Sequence, residues 1–297
     1  MKLDKKRVIR IIKAAIMEDI AGGDITTNTL ISKTSSSRGC VIVKENCVVC
    51  GLDIAEWVVN ELDCSIRFKP MCNDGEKVPK NKEILFLDGH SRGMLAAERV
   101  MLNFLSFLSS ISTNVNKYVE IAASYNVKIL DTRKTLPLLR YLEKYAVVIG
   151  GGQNHRMNLQ EMVMIKDNHF RIVSNSNALI TQKSSRGALG INIQHIKNKL
   201  QKNMQIEVEV EDIETLKKYL SEKPDIIMLD NMSVKQVKEA IEIRKQMKLE
   251  KHVSFEVSGG INIENIEAYA KTGVDAISIG NLTNSVNGVD FSLEIVG

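Results

Sequence analysis

From residue 127 onward, short apolar runs alternate with helical stretches, and this rhythm limits the possible folds more than any other feature of the chain. The runs lie at 127–130, 162–165, 206–210, 226–229, 253–257 and 276–279, with 146–149 a weaker run of the same kind. Alternating strand and helix units imply a parallel sheet, either doubly wound or closed into a barrel. Polar or glycine-rich residues follow nearly every run. Asp131-Thr-Arg-Lys-Thr135 follows the first and Lys166-Asp-Asn-His169 the second. Glu209 and Glu211 close the third, and Asp230-Asn231 the fourth. Ser258-Gly-Gly260 and Gly280-Asn281 follow the last two. Loops beyond the C-terminal strand ends build the active sites of α/β barrels, so this pattern points to a small-molecule enzyme.

The preceding residues have a different texture. Helices are expected at 8–17 and 53–61, strands at 40–44 and 83–87, and a turn at Asn73-Asp-Gly75. A long helix over 92–118, carrying Leu95, Val100, Leu102, Phe104, Leu105 and Leu108, would bridge to the second part. The 286–296 segment reads as a strand that could return to the first domain. The chain, 297 residues long, is therefore divided into an N-terminal domain (1–115, rejoined by 284–297) and a catalytic domain (116–283).

Composition excludes several classes. Hydrophobic residues at 44% and charged residues at 26% are those of a globular chain, not a disordered one. The net charge, 40 − 36 = +4, is too small to argue for nucleic acid. No apolar run approaches the ~18–20 residues of a membrane span. The basic 2–13 stretch resembles a transit peptide, but Asp4, Glu18 and Asp19 argue against one. A soluble, cytoplasmic protein with no membrane or nucleic-acid partner is the expectation. Five cysteines, an odd number, do not suggest a disulfide framework, and the lone Cys47-Val-Val-Cys50 pair is expected to be buried core thiols.

Arg133, Lys134, His155, Arg156 and Lys166 lie on loops that a barrel would bring to one rim, with Arg99 of the long helix a sixth candidate. Any one of them alone would be read as a solvated charge. As a group they imply a polyanionic ligand, since Arg offers bidentate forks to carboxylates and Lys a point charge to phosphate. Glu207, Glu209 and Glu211 alternate, and so share one strand face. That face is either the acidic outside of an edge strand or a barrel interior, where with Asp230 it could bind Mg²⁺ or sugar hydroxyls. Ser258-Gly-Gly260, before a helical stretch at 261–271, offers bare backbone N–H groups to an anion. No P-loop, GxGxxG, HExxH or GxSxG is present.

Longer strings carry a resemblance. Asp131-Thr-Arg-Lys-Thr135, Pro137, Arg140-Tyr-Leu-Glu-Lys-Tyr-Ala-Val147, Gly150-Gly-Gly-Gln-Asn-His-Arg156 and Ile165-Lys-Asp-Asn-His169 resemble the quinolinate phosphoribosyltransferases. So do Gly23-Asp-Ile-Thr-Thr27, Ala97-Glu-Arg-Val-Met-Leu-Asn103, Leu229-Asp-Asn231 and Val274-Asp-Ala-Ile-Ser-Ile-Gly280. The resemblance covers nearly the whole chain. It implies an N-terminal open-faced α/β sandwich domain plus a C-terminal α/β barrel, TIM-like and incomplete, with the site at a dimer interface. The implied reaction joins quinolinate to phosphoribosyl pyrophosphate and gives nicotinate mononucleotide, pyrophosphate and CO₂, a step of NAD biosynthesis.

By the same resemblance, Arg133, Lys134, His155, Arg156 and Lys166 would receive the dicarboxylate and the neighbouring phosphate. Arg99 would reach in from the partner of a homodimer, or of a hexamer built from dimers. Glu209 and Asp230 would hold the ribose and Mg²⁺, directly or indirectly. Ser258, Gly260 and Gly280 would bind the 5′-phosphate. Lys134, Lys166, Glu209 and Asp230 would be the catalytic set, with no organic cofactor. The chain departs from the family in two places. It has Ser109-Ser-Ile-Ser-Thr113 where Ser-Gly-Ile-Ala-Thr is usual, and Leu138 follows Pro137 where glycine is usual, so helix packing and loop shape should differ there. The competing readings are a related pyrophosphorylase of molybdenum-transport operons, a salvage nicotinate phosphoribosyltransferase and a catalytically silent ligand sensor.

Overall fold

The structure is a computed structural model that describes residues 1–174, 181–183, 189–285 and 287–296. The first half comprises α1 (Lys5–Ile20), α2 (Ile25–Leu30), β1 (Ser36–Val43), β2 (Cys47–Val48), α3 (Leu52–Leu62), β3 (Arg67–Pro70), β4 (Lys77–Val78), β5 (Glu83–His90), α4 (Ser91–Ala122), β6 (Lys128–Leu130) and α5 (Arg140–Ile149). Then come β7 (Val163–Ile165), α6 (Asp167–Ser174), β8 (Thr181–Lys183), β9 (Leu189–Ile191), α7 (Ile193–Lys197), β10 (Ile206–Val210) and α8 (Ile213–Glu222). The chain ends with β11 (Ile226–Asp230), α9 (Val234–Gln246), β12 (Ser254–Ser258), α10 (Ile266–Ala270), β13 (Ala276–Ser278), α11 (Asn281–Asn284) and β14 (Phe291–Val296).

Two compact units result. One holds Met1–Lys117, Lys134–Gly152 and Asn281–Gly297; the other holds Tyr118–Arg133 and Gln153–Gly280. The segment Lys134–Gly152, read from the sequence with the barrel, thus groups with the N-terminal elements.

The first unit is built on an antiparallel sheet in the order β14-β1-β5-β3. The C-terminal strand does return to it, with Val41 opposite Leu293, although Val286, where that strand was expected to begin, lies outside the described residues. By length and composition α4 could cross a membrane. Its stripe Met94, Ala97, Met101, Leu105, Leu108, Ile111 and Val115 is instead fully buried, at the three- and four-residue spacing of one helix face. The run 146–149, read as a weak strand, is the last turn of α5. Its β-branched valines suggested a strand, but Leu142, Ala146 and Val147 bury one face of a helix. Gly150 then lets the chain graze α4, since a Cβ there would lie 2.5 Å from the Ser112 carbonyl oxygen.

The two serine departures are accommodated within α4, where Ser112 Oγ donates to the Val48 carbonyl at 2.7 Å and Ser110 Oγ to that of Phe107 at 2.7 Å. Leu138 is 89% exposed and has φ +67°, a conformation natural to the glycine it replaces. All five cysteines are free thiols, and Cys47 and Cys50 are buried as expected. Burial pushes the Cys47 thiol up to about 12, which keeps it protonated and inert. The Asn73–Gly75 turn does more than connect strands. The Asp74 carboxylate accepts from the Gly51 and Leu52 N–H groups at the start of α3 and from Tyr145 Oη at 2.7 Å.

The second unit is a six-stranded, wholly parallel sheet in the order β6-β13-β12-β11-β10-β7. The first strand in sequence therefore pairs with the last, as in a barrel. Among the described residues the ladder is open only between β6 and β7, where one parallel bridge, Leu130 to Gln153, joins β6 to the next segment. This is the incomplete barrel expected from the sequence. At its N-terminal end, Arg244 ion-pairs with Asp275, donates to the Val253 carbonyl at 3.1 Å and stacks on the Phe255 ring.

Two stability measurements follow from the first unit. Asp74→Ala should cost about 1–3 kcal/mol by denaturant unfolding, because α3 loses its cap and Tyr145 its partner. An unchanged midpoint would rule out that role. Measured at protein concentrations low enough to keep the chain monomeric, Leu138→Gly should gain up to ~1 kcal/mol, since relief of ~1–2 kcal/mol of left-handed strain exceeds the unfolded-state entropy glycine adds. A lower midpoint would mean that the leucine side chain contributes packing.

Candidate active site

Every strand of the parallel sheet delivers a sequence-predicted residue at or just beyond its C-terminal end. The β6 end leads to Asp131 and Arg133, and the Gln153 segment to His155 and Arg156. Lys166 follows β7, and Glu209 and Asp230 lie in the last positions of β10 and β11. Ser258 ends β12, Gly260 lies two residues on, and Gly280 follows β13. Lys134 and Arg99 belong to the first unit. Lys134 is exposed, with its carbonyl accepting from Thr283 Oγ1 at 2.8 Å, and Arg99 is exposed on α4.

Strand alternation sorts the acids. Val208 and Val210 are buried on one face of β10, while Glu207 and Glu209 lie on the other. The open question of whether these glutamates face solvent or the interior is thereby answered, because Glu207 has no exposed surface. Glu211, past the strand end, is exposed. Two layers of chemistry result.

In the deeper layer, His155 Nε2 lies 3.0 Å from Glu207 Oε2 and 3.6 Å from Glu256 Oε2. The ring's Nδ1 accepts the Arg156 backbone N–H at 2.7 Å, so the imidazole proton sits on Nε2, facing the carboxylates. The buried Asp131 carboxylate accepts the His155 backbone N–H at 2.8 Å. Burial first, then the Glu207 charge, pushes the Glu256 carboxyl up to about 7, with His155 opposing. Glu256 and Asp131 were absent from the sequence-predicted set. The inward period-two partners of Glu256 across neighbouring strands were the signal that could have found it.

In the upper layer, the Lys166 ammonium ion-pairs with Glu209, and Lys166 is held at the start of α6 by its own N–H donating to His169 Nδ1 at 2.9 Å. Asp230 accepts from Asn231 Nδ2 at 2.9 Å. Arg156 donates to the Met162 carbonyl at 3.1 Å. Burial, then the neighbouring Arg133 charge, lowers its pKa, with Glu207 opposing. Arg156 thus feels the charge of Arg133, and two like charges at neighbouring segment ends of one rim suit a ligand with adjacent negative charges. A cavity of about 340 Å³ opens beside Glu209, between the β10 end and α6.

The expected helix after Ser258-Gly-Gly260 does not start at 261. Asn262 and Asn265 cross-cap a turn, Asn265 Nδ2 donates to the Gly260 carbonyl, and α10 begins only at Ile266 with five residues. Any anion site there is a turn, not a helix terminus. Gly259, at φ +91°, passes so close to Asn231 that a Cβ would lie 2.2 Å from its Oδ1. Oxygen donors on adjacent strands, Glu209 and Asp230, suit a hard cation such as Mg²⁺, which takes one or two carboxylates and completes its shell with substrate phosphates.

A parallel barrel with cations and carboxylates gathered at its C-terminal strand ends defines an enzyme acting on a polyanionic small molecule. Residues 24–109 match the N-terminal domain, and residues 111–294 the C-terminal domain, of quinolinate phosphoribosyl transferase. The chain belongs to the quinolinate phosphoribosyltransferase family. It is 42% identical to a probable nicotinate-nucleotide pyrophosphorylase [carboxylating] of Methanocaldococcus jannaschii, over 98% of each chain. It is 35% identical to the corresponding enzyme of Mycobacterium leprae, over 96% of this chain and 95% of that one. Among solved structures, the nicotinate-nucleotide pyrophosphorylase of Francisella tularensis matches with a TM-score of 0.88 at 38% identity, covering 99% of this chain and 98% of that one.

The raised Glu256 carboxyl has a thermodynamic consequence. Its folded value of about 7 exceeds the unfolded 4.5, so its contribution to stability is complete below the lower value and is lost as pH rises through the upper one. Glu256→Gln, neutral throughout, should gain stability relative to the unsubstituted chain between about pH 5 and about pH 8 in urea titrations. An identical difference at both pH values would contradict the assignment.

Proposed function

We infer that the protein transfers the phosphoribosyl group of phosphoribosyl pyrophosphate to quinolinate with decarboxylation, yielding nicotinate mononucleotide, pyrophosphate and CO₂. The observation that carries this reading is the mouth of the barrel. There a cationic pair, Arg133 and Arg156, shares one rim with the Lys166–Glu209 ion pair and Asp230.

Quinolinate presents two adjacent carboxylates, which two guanidinium groups on one rim can receive. Its ring nitrogen attacks the anomeric carbon of the ribose as the bond to pyrophosphate breaks, through an oxocarbenium-like state. Glu209 and Asp230, negative and fixed at the mouth, stabilise that developing cation. Lys166 offers positive charge to substrate anions. When bound, Mg²⁺ would be held by Glu209 and Asp230 and would take up charge on the departing pyrophosphate. The backbone N–H groups of the Ser258–Gly260 turn and of Gly280 suit the 5′-phosphate. After transfer, the bond to the carboxylate next to the ring nitrogen breaks. The electron pair left on that carbon is stabilised by the adjacent pyridinium nitrogen, CO₂ departs, and a proton from water replaces it.

We also propose a homodimer in the cytoplasm. Exposed Met17, Ile25, Leu30, Leu136 and Leu138 give the first unit apolar surface for a second copy to cover, and exposed Arg99 could then serve a partner's site. Free thiols throughout suit a reducing compartment.

An assay with quinolinate, phosphoribosyl pyrophosphate and Mg²⁺ should release CO₂ together with nicotinate mononucleotide. Turnover of nicotinate but not quinolinate would overturn the reading. Arg133→Ala or Lys166→Ala should each remove ~2–5 kcal/mol of charge-assisted binding, lowering kcat/KM by several decades. Near-normal kinetics in either variant would remove that residue from the machinery.

A further inference from the structure

Two carboxylates with almost no exposed surface lie beneath the cationic rim, and the reaction as described uses neither of them. Glu207 and Glu256 come from the strands on either side of β11, and both reach the same imidazole nitrogen of His155. His155 had been expected to receive substrate. Yet its Nε2 faces inward to these acids and its Nδ1 is occupied by the backbone N–H of the next residue, Arg156. Its own backbone N–H is held by Asp131 at the end of β6. The ring is therefore anchored below by two acids and grips the chain at the residue that carries the receptor guanidinium. That guanidinium needs holding, because it is partly buried beside the like charge of Arg133, and Glu207 is the acid that offsets this repulsion.

We propose that Glu207 and Glu256 are positioning residues which, acting through His155, hold Arg156 and the Arg133–Arg156 pair in the geometry that receives the pyridine dicarboxylate. The inference rests on the reaction proposed above. It places the effect of these acids on one substrate alone, since the ring they hold bonds to the chain at Arg156, in the dicarboxylate receptor, while the phosphoribosyl donor is assigned to Glu209, Asp230, Ser258, Gly260 and Gly280.

Steady-state kinetics of the full-length protein with both substrates varied provides the test. Glu207→Gln and Glu256→Gln keep side-chain shape and remove the charge, so folding should survive, and thermal unfolding checks this. Each should raise KM for quinolinate roughly tenfold, the size of one lost charge-assisted contact. KM for phosphoribosyl pyrophosphate and kcat should change by less than about threefold. His155→Phe should produce the same selective shift, and Glu256→Gln added to His155→Phe should have no further effect, because Glu256 acts through the ring alone.

Three results would overturn the proposal: a fall in kcat with KM for quinolinate unchanged, a rise in KM for the donor of equal size, or fully additive effects in the double variant. Stoichiometric metal retained by the purified protein at these three residues, whose ligand atoms lie within 4.8 Å of one another, would overturn it too. If the unsubstituted enzyme does not turn over quinolinate at all, the reaction itself is wrong and the inference falls with it. Turnover with unshifted variants would refute the inference alone.

Discussion

A buried imidazole set against two carboxylates is the constraint around which the barrel is organised. Small barrels usually fill their interior with branched apolar side chains, because burying a charge without compensation is costly. Here the inward positions of β10 and β12 carry Glu207 and Glu256, and the only way to accommodate them is to supply opposite charge or a proton. The imidazole turns its Nε2–H toward both carboxylates, and the rise of Glu256 toward neutral pH supplies the proton. Neither solution works if the strands slip. A one-residue shift of β10 would turn Glu207 and Glu209 out among helices and put Val208 and Val210 inside, so the cluster also fixes the register.

The layering above it follows from the same period of two. With Glu207 inward, Glu209 must also be inward and one step nearer the mouth, where it meets Lys166. With Glu256 inward, Ser258 must be too, opposite Asp230 on the neighbouring strand. Buried acids below and a mixed-charge rim above are thus one alternation read at two depths. Glu207 of the lower pair opposes the like-charge effect of Arg133 on Arg156, so the rim can remain cationic before any anionic ligand arrives. This is electrostatic preorganisation in its simplest form, with charge fixed by the fold and not recruited by the substrate.

Much of this was legible in the sequence. The alternation of apolar runs with polar termini identified the parallel barrel and the end at which chemistry would gather, since both depend on local pattern. The stripe of α4 and the returning strand β14 were visible for the same reason. Where the reading failed, a local signal was ambiguous or a partner distant. The valines at 147 and 148 favour strands intrinsically, but burial against one face makes them the end of α5. The turn after Ser258 looked like a helix start, but Asn262 and Asn265 hold each other in a loop instead. Glu256 went unnoticed because nothing in Phe255-Glu-Val257 says that a histidine a hundred residues earlier will face it. His155 reads with the rim cations, and the direction of its ring, toward Glu207, Glu256 and the Arg156 N–H, is something that one-dimensional spacing cannot give.

The departures from family pattern show how far physical compensation can go. Serines in place of small residues in α4 would be buried hydroxyls without partners if they pointed into hydrocarbon. Each instead donates to a carbonyl within reach, and Ser112 also ties α4 to the β2 strand. Leu138 has no such remedy. Its backbone takes a left-handed conformation that glycine adopts at little cost, and its side chain stands almost wholly in solvent with nothing described to offset the strain. The strain at 138 is thus a local cost that nothing among the described residues offsets, where each serine meets its own cost with a hydrogen bond.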